Sequence, residues 1–215
     1  MVYIENVFVC IAAPLLLAIF CIGGKDTRFL LHYLAGMGAC LLSAYINTFL
    51  TVFYKADVFN ATVEIAPVVE ESLKLLPVLF YFLVFEPKIS EVKRAVITVA
   101  AGFATFENIC YLIQNGTERL GFLLIRGFGT GAMHVICGMI VGNGLKYVWQ
   151  RSWLKAAGTF GLLGAAITFH AIYNLLIAYG GSLRYVAYAL PLATMLAGMQ
   201  VGKVFRAFPQ RKTER

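Results

Sequence analysis

The chain has 215 residues, 60% hydrophobic and 13% charged, with a mean hydropathy of +0.77. A soluble domain is about a quarter charged and about half apolar, so a water-soluble fold of this size cannot cover so much apolar surface, and the same balance excludes intrinsic disorder. The formal net charge of +7 raises the idea of a nucleic-acid partner, but the cations gather in short loops and at the tail, where in a membrane protein they set orientation.

A spanning helix needs about 20 mostly apolar residues. Seven windows qualify: 3–22, 29–54, 63–85, 94–114, 120–145, 156–179 and 184–207. The first follows a leader with no Lys or Arg and lacks a small-x-small cleavage site, so it reads as a retained helix and not a signal peptide. The third contains Glu70-Glu71-Ser72-Leu73-Lys74. The fourth contains Phe103, Glu107 and Asn108, and the fifth Arg126, Thr130 and His134 at spacings of four. The sixth carries His170 and Asn174, and the seventh is interrupted by Pro191 and holds Lys203 and Arg206 near its end. The runs are continuous and not alternating, which predicts helices in place of barrel strands. Cys10, Cys21, Cys40, Cys110 and Cys137 lie in apolar runs and read as packing residues. The expectation is an all-α polytopic membrane protein: one transmembrane domain over 1–215, polar chemistry within 63–179, and a basic tail at 208–215.

Thirteen of the 18 Lys and Arg fall in the loops after the first, third and fifth windows and in the tail. The opposite side holds Lys55, Arg119 and Arg184. That asymmetry puts the amino terminus outside and the carboxyl terminus in the cytoplasm. The two remaining cations, Lys74 and Arg126, fall inside windows.

An ionisable side chain at mid-bilayer costs at least ~2.5–3.5 kcal/mol, and such groups normally face the bundle interior and pair with one another. Residues four apart share a helix face, so Glu70 and Lys74 do, as do His170 and Asn174. Glu70 and Glu71 point about 100° apart, so one is expected to react and the other to pair with Lys74 or Arg126. Counted at ~1.5 Å per residue, the polar groups of four helices lie about 9–21 Å below the outer boundary, in one layer of the bilayer. Three carboxylates (Glu70, Glu71, Glu107) face two cations (Lys74, Arg126). A lone buried charge is expensive. One Glu stays protonated, one His is protonated, or a divalent cation binds. A cation with two His and Glu ligands suits zinc and water activation. The bland reading is that Asn108 and Asn174 bridge helices, and that the glycines of the fifth window, such as Gly127, Gly131 and Gly138, allow close helix approach.

The ordered set Glu70-Glu71-x-x-Lys74, Phe103-x-x-x-Glu107-Asn108, His134 and His170-x-x-x-Asn174 resembles the PrsW family of intramembrane proteases over about residues 64–178. That family shares a clan with the CAAX prenyl proteases and bacteriocin-processing enzymes. The resemblance implies peptide-bond hydrolysis within or beside the membrane. Glu70 or Glu71 would be the general base, with His170 and Asn174 steadying the oxyanion. This chain has Glu107 where the CAAX branch has a His, and Lys74 where that branch has an Arg motif, which argues against a prenylated substrate. Glu107 and the additional His134 suit a metal such as Zn2+ on Glu71, Glu107, His134 and His170 better than the CAAX pattern does, with Lys74 then holding the second Glu, and a glutamate mechanism without metal stays open beside it. The implied substrate is a single-pass membrane protein of the anti-sigma factor type, cut near the extracytoplasmic side of a bacterial inner membrane. No nucleic acid and no small-molecule cofactor are expected.

Two other functions would keep the same groups at mid-membrane. An ion- or proton-coupled transporter predicts broken helices and internal repeats. Only Pro67, Pro77, Pro191 and a short likeness between 105–109 and 168–172 support it. A non-catalytic scaffold that binds a partner helix predicts assembly without cleavage.

Overall fold

The computed structural model describes residues 3–22, 24–116 and 119–207, and these contain helices and no strand. Seven helices among them are long: α1 (Ile4–Ile22), α2 (Gly24–Tyr54), α3 (Ala66–Phe85), α4 (Ile89–Asn115), α5 (Leu120–Val148), α6 (Lys155–Tyr179) and α7 (Gly181–Ala207). They follow the seven apolar windows, because a backbone without access to water must satisfy its N–H and C=O groups within its own segment. The proposed tail, 208–215, lies outside the described residues.

Two short elements precede α3. Val58–Asn60 form one turn capped by Asp57, whose carboxylate accepts the Asn60 N–H at 2.8 Å. Ala61–Ile65 then form a π-helical stretch that runs directly into α3. Pro67 sits in the first turn of α3 directly after the π-helical stretch, where its missing N–H leaves a carbonyl of that stretch without a backbone donor. Gly116 (φ 72°) and Gly180 (φ 71°) end α4 and α6 in the left-handed region that glycine adopts without strain.

Large apolar side chains face outward. Phe20 is 83% exposed, and Leu17, Phe49, Phe80 and Leu83 are also exposed, which suits a helix surface bathed in lipid. Five helices have the length and apolarity to cross a membrane, over Ile4–Ile22, Thr27–Tyr54, Glu91–Asn115, Leu120–Leu145 and Ser152–Tyr179. The chain is thus a multi-pass membrane protein. Helix α3 falls outside that set because Glu70, Glu71 and Lys74 sit on it.

Two interior clusters flank the polar layer. One joins Met37, Cys40, Val69, Leu73, Phe103 and Phe106, with Phe8 edge-on to Phe106. The other joins Val78, Val99, Met133, Cys137, Ala166 and Tyr173. Between α2 and α4 the backbones touch at two glycines. A Cβ on Gly36 would fall 2.0 Å from the Val99 carbonyl oxygen, and one on Gly102 would fall 2.0 Å from that of Tyr33. Small residues let membrane helices pack at backbone distance, and here that contact fixes α4 and therefore Glu107. Gly102→Val is expected to cost about 1–3 kcal/mol or more by forcing the helices apart. Gly131→Ala is the control, since its Cβ meets no atom within 4 Å. Unfolding in mixed micelles checks this: the first variant melts earlier and the second melts like the parent.

Candidate active site

The polar residues that the sequence spreads over four helices converge in the interior. Helix α3 supplies Glu70, Glu71 and Lys74, α4 supplies Glu107 and Asn108, α5 supplies Arg126 and His134, and α6 supplies His170 and Asn174. His134 is 0% and His170 2% exposed, and Glu71 and Lys74 are buried with them. Their hydrogen bonds form a connected path. The Lys74 ammonium donates to Glu71 Oε1 at 2.5 Å and to His134 Nδ1 at 2.8 Å. The opposite nitrogen of His134 donates to Glu107 Oε2 at 2.5 Å. His170 Nδ1 donates to Glu71 Oε1 at 2.8 Å. The two imidazoles stand edge to face, 5.1 Å between centroids, and Phe103 floors the group, 4.7 Å from Lys74 Nζ and 5.0 Å from the His134 ring.

Glu70 and Glu71 part company as their angular separation requires. Glu71 turns inward to Lys74 and His170. Glu70 turns to a cavity of about 520 Å³ that it lines together with Glu107, His170, Arg126, Asn174 and Asn47. Its carboxylate accepts a long bond from Asn47 Nδ2 at 3.4 Å and lies 3.8 Å from His170 Nε2. Lys74 therefore pairs with its i−3 neighbour Glu71, although the i, i+4 spacing placed it on the face of Glu70.

Arg126 stands 3.7 Å from Glu107, donates to Asn108 Oδ1 and stacks 3.6 Å over the Tyr111 ring. Asn108 thus holds an arginine and does not line the cavity. The Asn174 side-chain amide donates to the Thr62 carbonyl at 2.9 Å, tying α6 to the π-helical stretch in front of α3. A π-helical turn leaves carbonyls without their usual partners, and Asn174 satisfies one of them. Thr130 and Tyr173, which also line the cavity, share a hydroxyl bond of 2.8 Å.

Sequence reasoning missed Asn47, which α2 brings to Glu70. The available signal was the row Ser43, Asn47 and Thr51 at spacings of four, which puts three uncharged polar side chains on one face of α2. Asn47 Oδ1 is buried with no hydrogen-bond partner.

Metal binding has its own geometric requirements. One ligand atom each from Glu70, His134 and His170 lies within 4.8 Å of the others. Neighbouring ligands around a tetrahedral zinc are about 3.4 Å apart at Zn–N distances of about 2.0–2.1 Å. Glu70 Oε2 and His170 Nε2, at 3.8 Å, are close to that spacing. Glu71 behind His170 fixes its Nδ1–H and turns the Nε2 lone pair toward Glu70, the usual carboxylate support of a metal-ligating imidazole. Glu70 takes the place in this set that the sequence reading gave to Glu71, while Glu107 is engaged by His134. Glu70, His134 and His170 are thus a possible metal site, in which Glu70 and His170 offer free lone pairs while both nitrogens of His134 are engaged by Lys74 and Glu107.

Carboxylates and imidazoles gathered around a water-sized space inside a helical membrane bundle are the equipment of a membrane-embedded hydrolase. The family whose model matches, over residues 26–199, is the PrsW family intramembrane metalloprotease, and the chain belongs to that family. It is a peptidase. No curated protein and no solved structure matches the chain significantly.

The buried pair makes a stability prediction. Lys74→Met leaves the Glu71 carboxylate in the interior without its cation, which costs about 3–5 kcal/mol. The double variant Glu71→Gln with Lys74→Met removes both charges and is expected to recover most of that loss. Equilibrium unfolding of the three proteins in the same micelles measures the difference; equal stability of the single and double variants would count against the pair.

Proposed function

We propose that the protein hydrolyses a peptide bond of a single-pass, membrane-anchored regulatory protein of the anti-sigma factor type, at the extracytoplasmic side of a bacterial inner membrane. One observation carries this reading: Glu70, Glu107 and His170 line one cavity of about 520 Å³ with Arg126 at its wall. In this arrangement all seven long helices cross the bilayer as one domain over 1–215, with the amino terminus outside and the carboxyl terminus cytoplasmic. The charges of α3 are tolerated because Lys74 neutralises Glu71 within the bundle.

Glu70 is the general base. Its carboxylate has only a 3.4 Å contact to Asn47 and a 3.8 Å approach to His170, so lone pairs remain for a water proton. The protonated Glu70 returns that proton to the leaving amine, while Glu107, hydrogen-bonded to His134, faces the same space and holds His134 and Arg126 beside it. Arg126 supplies positive charge near the carbonyl oxygen as it becomes an oxyanion. Of the expected oxyanion pair, His170 keeps its Nε2 at the cavity, while Asn174 holds the π-helical stretch in register with α3. Glu71 and Lys74 position His170 and His134. Glu70, His170 and His134 are the residues that would hold a zinc ion, which would lower the pKa of a coordinated water to about 7 and polarise the carbonyl, and Glu70 would then be a ligand in place of the base.

In proteoliposomes containing a tagged single-pass substrate, Glu70→Gln, Glu107→Gln and His170→Ala are each expected to reduce cleavage by about 10²-fold or more, with folding intact. A chelator is expected to abolish cleavage and added Zn2+ to restore it. Full cleavage by Glu70→Gln would overturn the assignment of the base.

A further inference from the structure

The catalytic cavity reaches one end of the bundle. Thr51 of α2, Phe122 of α5, Ile177 of α6 and Arg184 of α7 line it, and each stands two or three residues from a helix end there. In the proposed orientation this end faces the outside. Tyr188 of α7 lines the same cavity and also a second one, of about 350 Å³, along the seam between α5 and α7. The second is an apolar groove at the lipid surface: Leu124 and Phe128 of α5 and Tyr185 of α7 line it, and all three are exposed. Tyr188 itself is 5% exposed and packs on bare backbone, since a Cβ on Gly129 would fall 2.7 Å from its ring. The groove and the catalytic cavity therefore meet at one buried side chain.

The part of α7 that carries Tyr188 has a joint at each end. Gly180 and Gly181 precede it with φ of 71° and 56°, in the left-handed region. Pro191, inside α7 and three residues beyond Tyr188, removes the N–H that would bond the Ala187 carbonyl. A segment jointed in this way can tilt from α5 while the rest of α7 keeps its place.

Arg184 lies at the i−4 position from Tyr188, one turn nearer the mouth on the same face of α7. Arg126 is paired with Glu107, whereas the exposed guanidinium of Arg184 makes no ion pair or hydrogen bond among the described residues. The mouth thus holds an unpaired cation, and the interior holds Glu70 and Glu107.

We propose that the transmembrane segment of the substrate docks in the α5–α7 groove and enters the cavity past Tyr188, with Arg184 pairing an acidic side chain on the outer flank of that segment. The inference rests on the proposed hydrolysis of a single-pass substrate at this site. An apolar helix suits a groove that offers no charged side chain. A carboxylate suits the guanidinium at the mouth and is repelled by the two glutamates deeper in, so it stays outside and sets the register of the peptide that enters.

The test is photo-cross-linking in proteoliposomes, with the full-length protein and a tagged single-pass protein carrying one Glu on the extracytoplasmic flank of its apolar segment. A photoreactive residue at Phe128 is expected to label this protein, and one at Phe49, similarly exposed but on α2, is not. Equal labelling from the two positions, or none from Phe128, overturns the docking. A second arm replaces the flank Glu by Lys. The parent is expected to cleave the Glu form about fivefold better in kcat/KM, the upper end for an exposed ion pair, and Arg184→Glu to reverse the preference. No preference in the parent, or one that Arg184→Glu leaves unchanged, removes Arg184 from recognition and sinks the proposal. Labelling from Phe128 needs no bond cleavage. If neither form is cut, the hydrolysis reading fails by itself, and the labelling yields of the Glu and Lys forms decide docking and charge preference in its place.

Discussion

Lys74 carries an ammonium group into the interior of an apolar bundle, where a charge without partners costs several kcal/mol. The polar layer follows from how that cost is met. Glu71 lies 2.5 Å away on the same helix and His134 2.8 Å away on α5, with the face of Phe103 at 4.7 Å. Each partner is committed onward, Glu71 to His170 and His134 to Glu107. Satisfying one cation therefore fixes side chains on α3, α4, α5 and α6 together. The charges then sort by neighbour: Lys74 with Glu71, Arg126 with Glu107, and Glu70 facing the cavity without a cation of its own. A carboxylate left over in this way is available to react.

Such a network needs helices held in register to fractions of an ångström, and the packing supplies that rigidity. Gly36 and Gly102 bring α2 and α4 to backbone contact, so Glu107 cannot slide along its axis without a clash at Val99 or Tyr33. The π-helical stretch Ala61–Ile65 sets the angle at which α3 enters, and Asn174 holds it from α6. That entry angle decides which of two adjacent glutamates faces the cavity. Glu70 and Glu71 are chemically alike, and their neighbours make them different.

The helices were legible in the sequence because a bilayer leaves the backbone almost no alternative, and each apolar window became a helix. The set of ionisable residues was legible for a related reason, since charge at depth is too costly to be incidental. Pairings were less so. The i, i+4 rule put Lys74 beside Glu70, but i, i+3 is equally available on a helix, and the tertiary partner His134 drew Lys74 to the Glu71 side. Asn108 and Asn174 entered the site through the family resemblance; in the structure Asn108 holds Arg126, and Asn174, which lines the cavity, holds the Thr62 carbonyl. The π-helical stretch left no periodic mark, while Asn47 stands in a row with Ser43 and Thr51 at spacings of four.

The two histidines take opposite roles because of what stands behind each ring. A carboxylate behind His170 accepts from Nδ1, so that nitrogen keeps its proton and Nε2 presents a lone pair to the cavity. An ammonium stands behind His134 and has only donors to offer, so Nδ1 accepts and the proton sits on Nε2, pointed at Glu107. His170 is thus poised as a ligand and His134 as a donor. His134 would ligate a metal through Nε2 only if that nitrogen lost its proton while Lys74 passed one to Nδ1, so metal binding there would release a proton. The requirement traces to Lys74: the cation that organises the four helices also sets the protonation condition under which a metal completes the site.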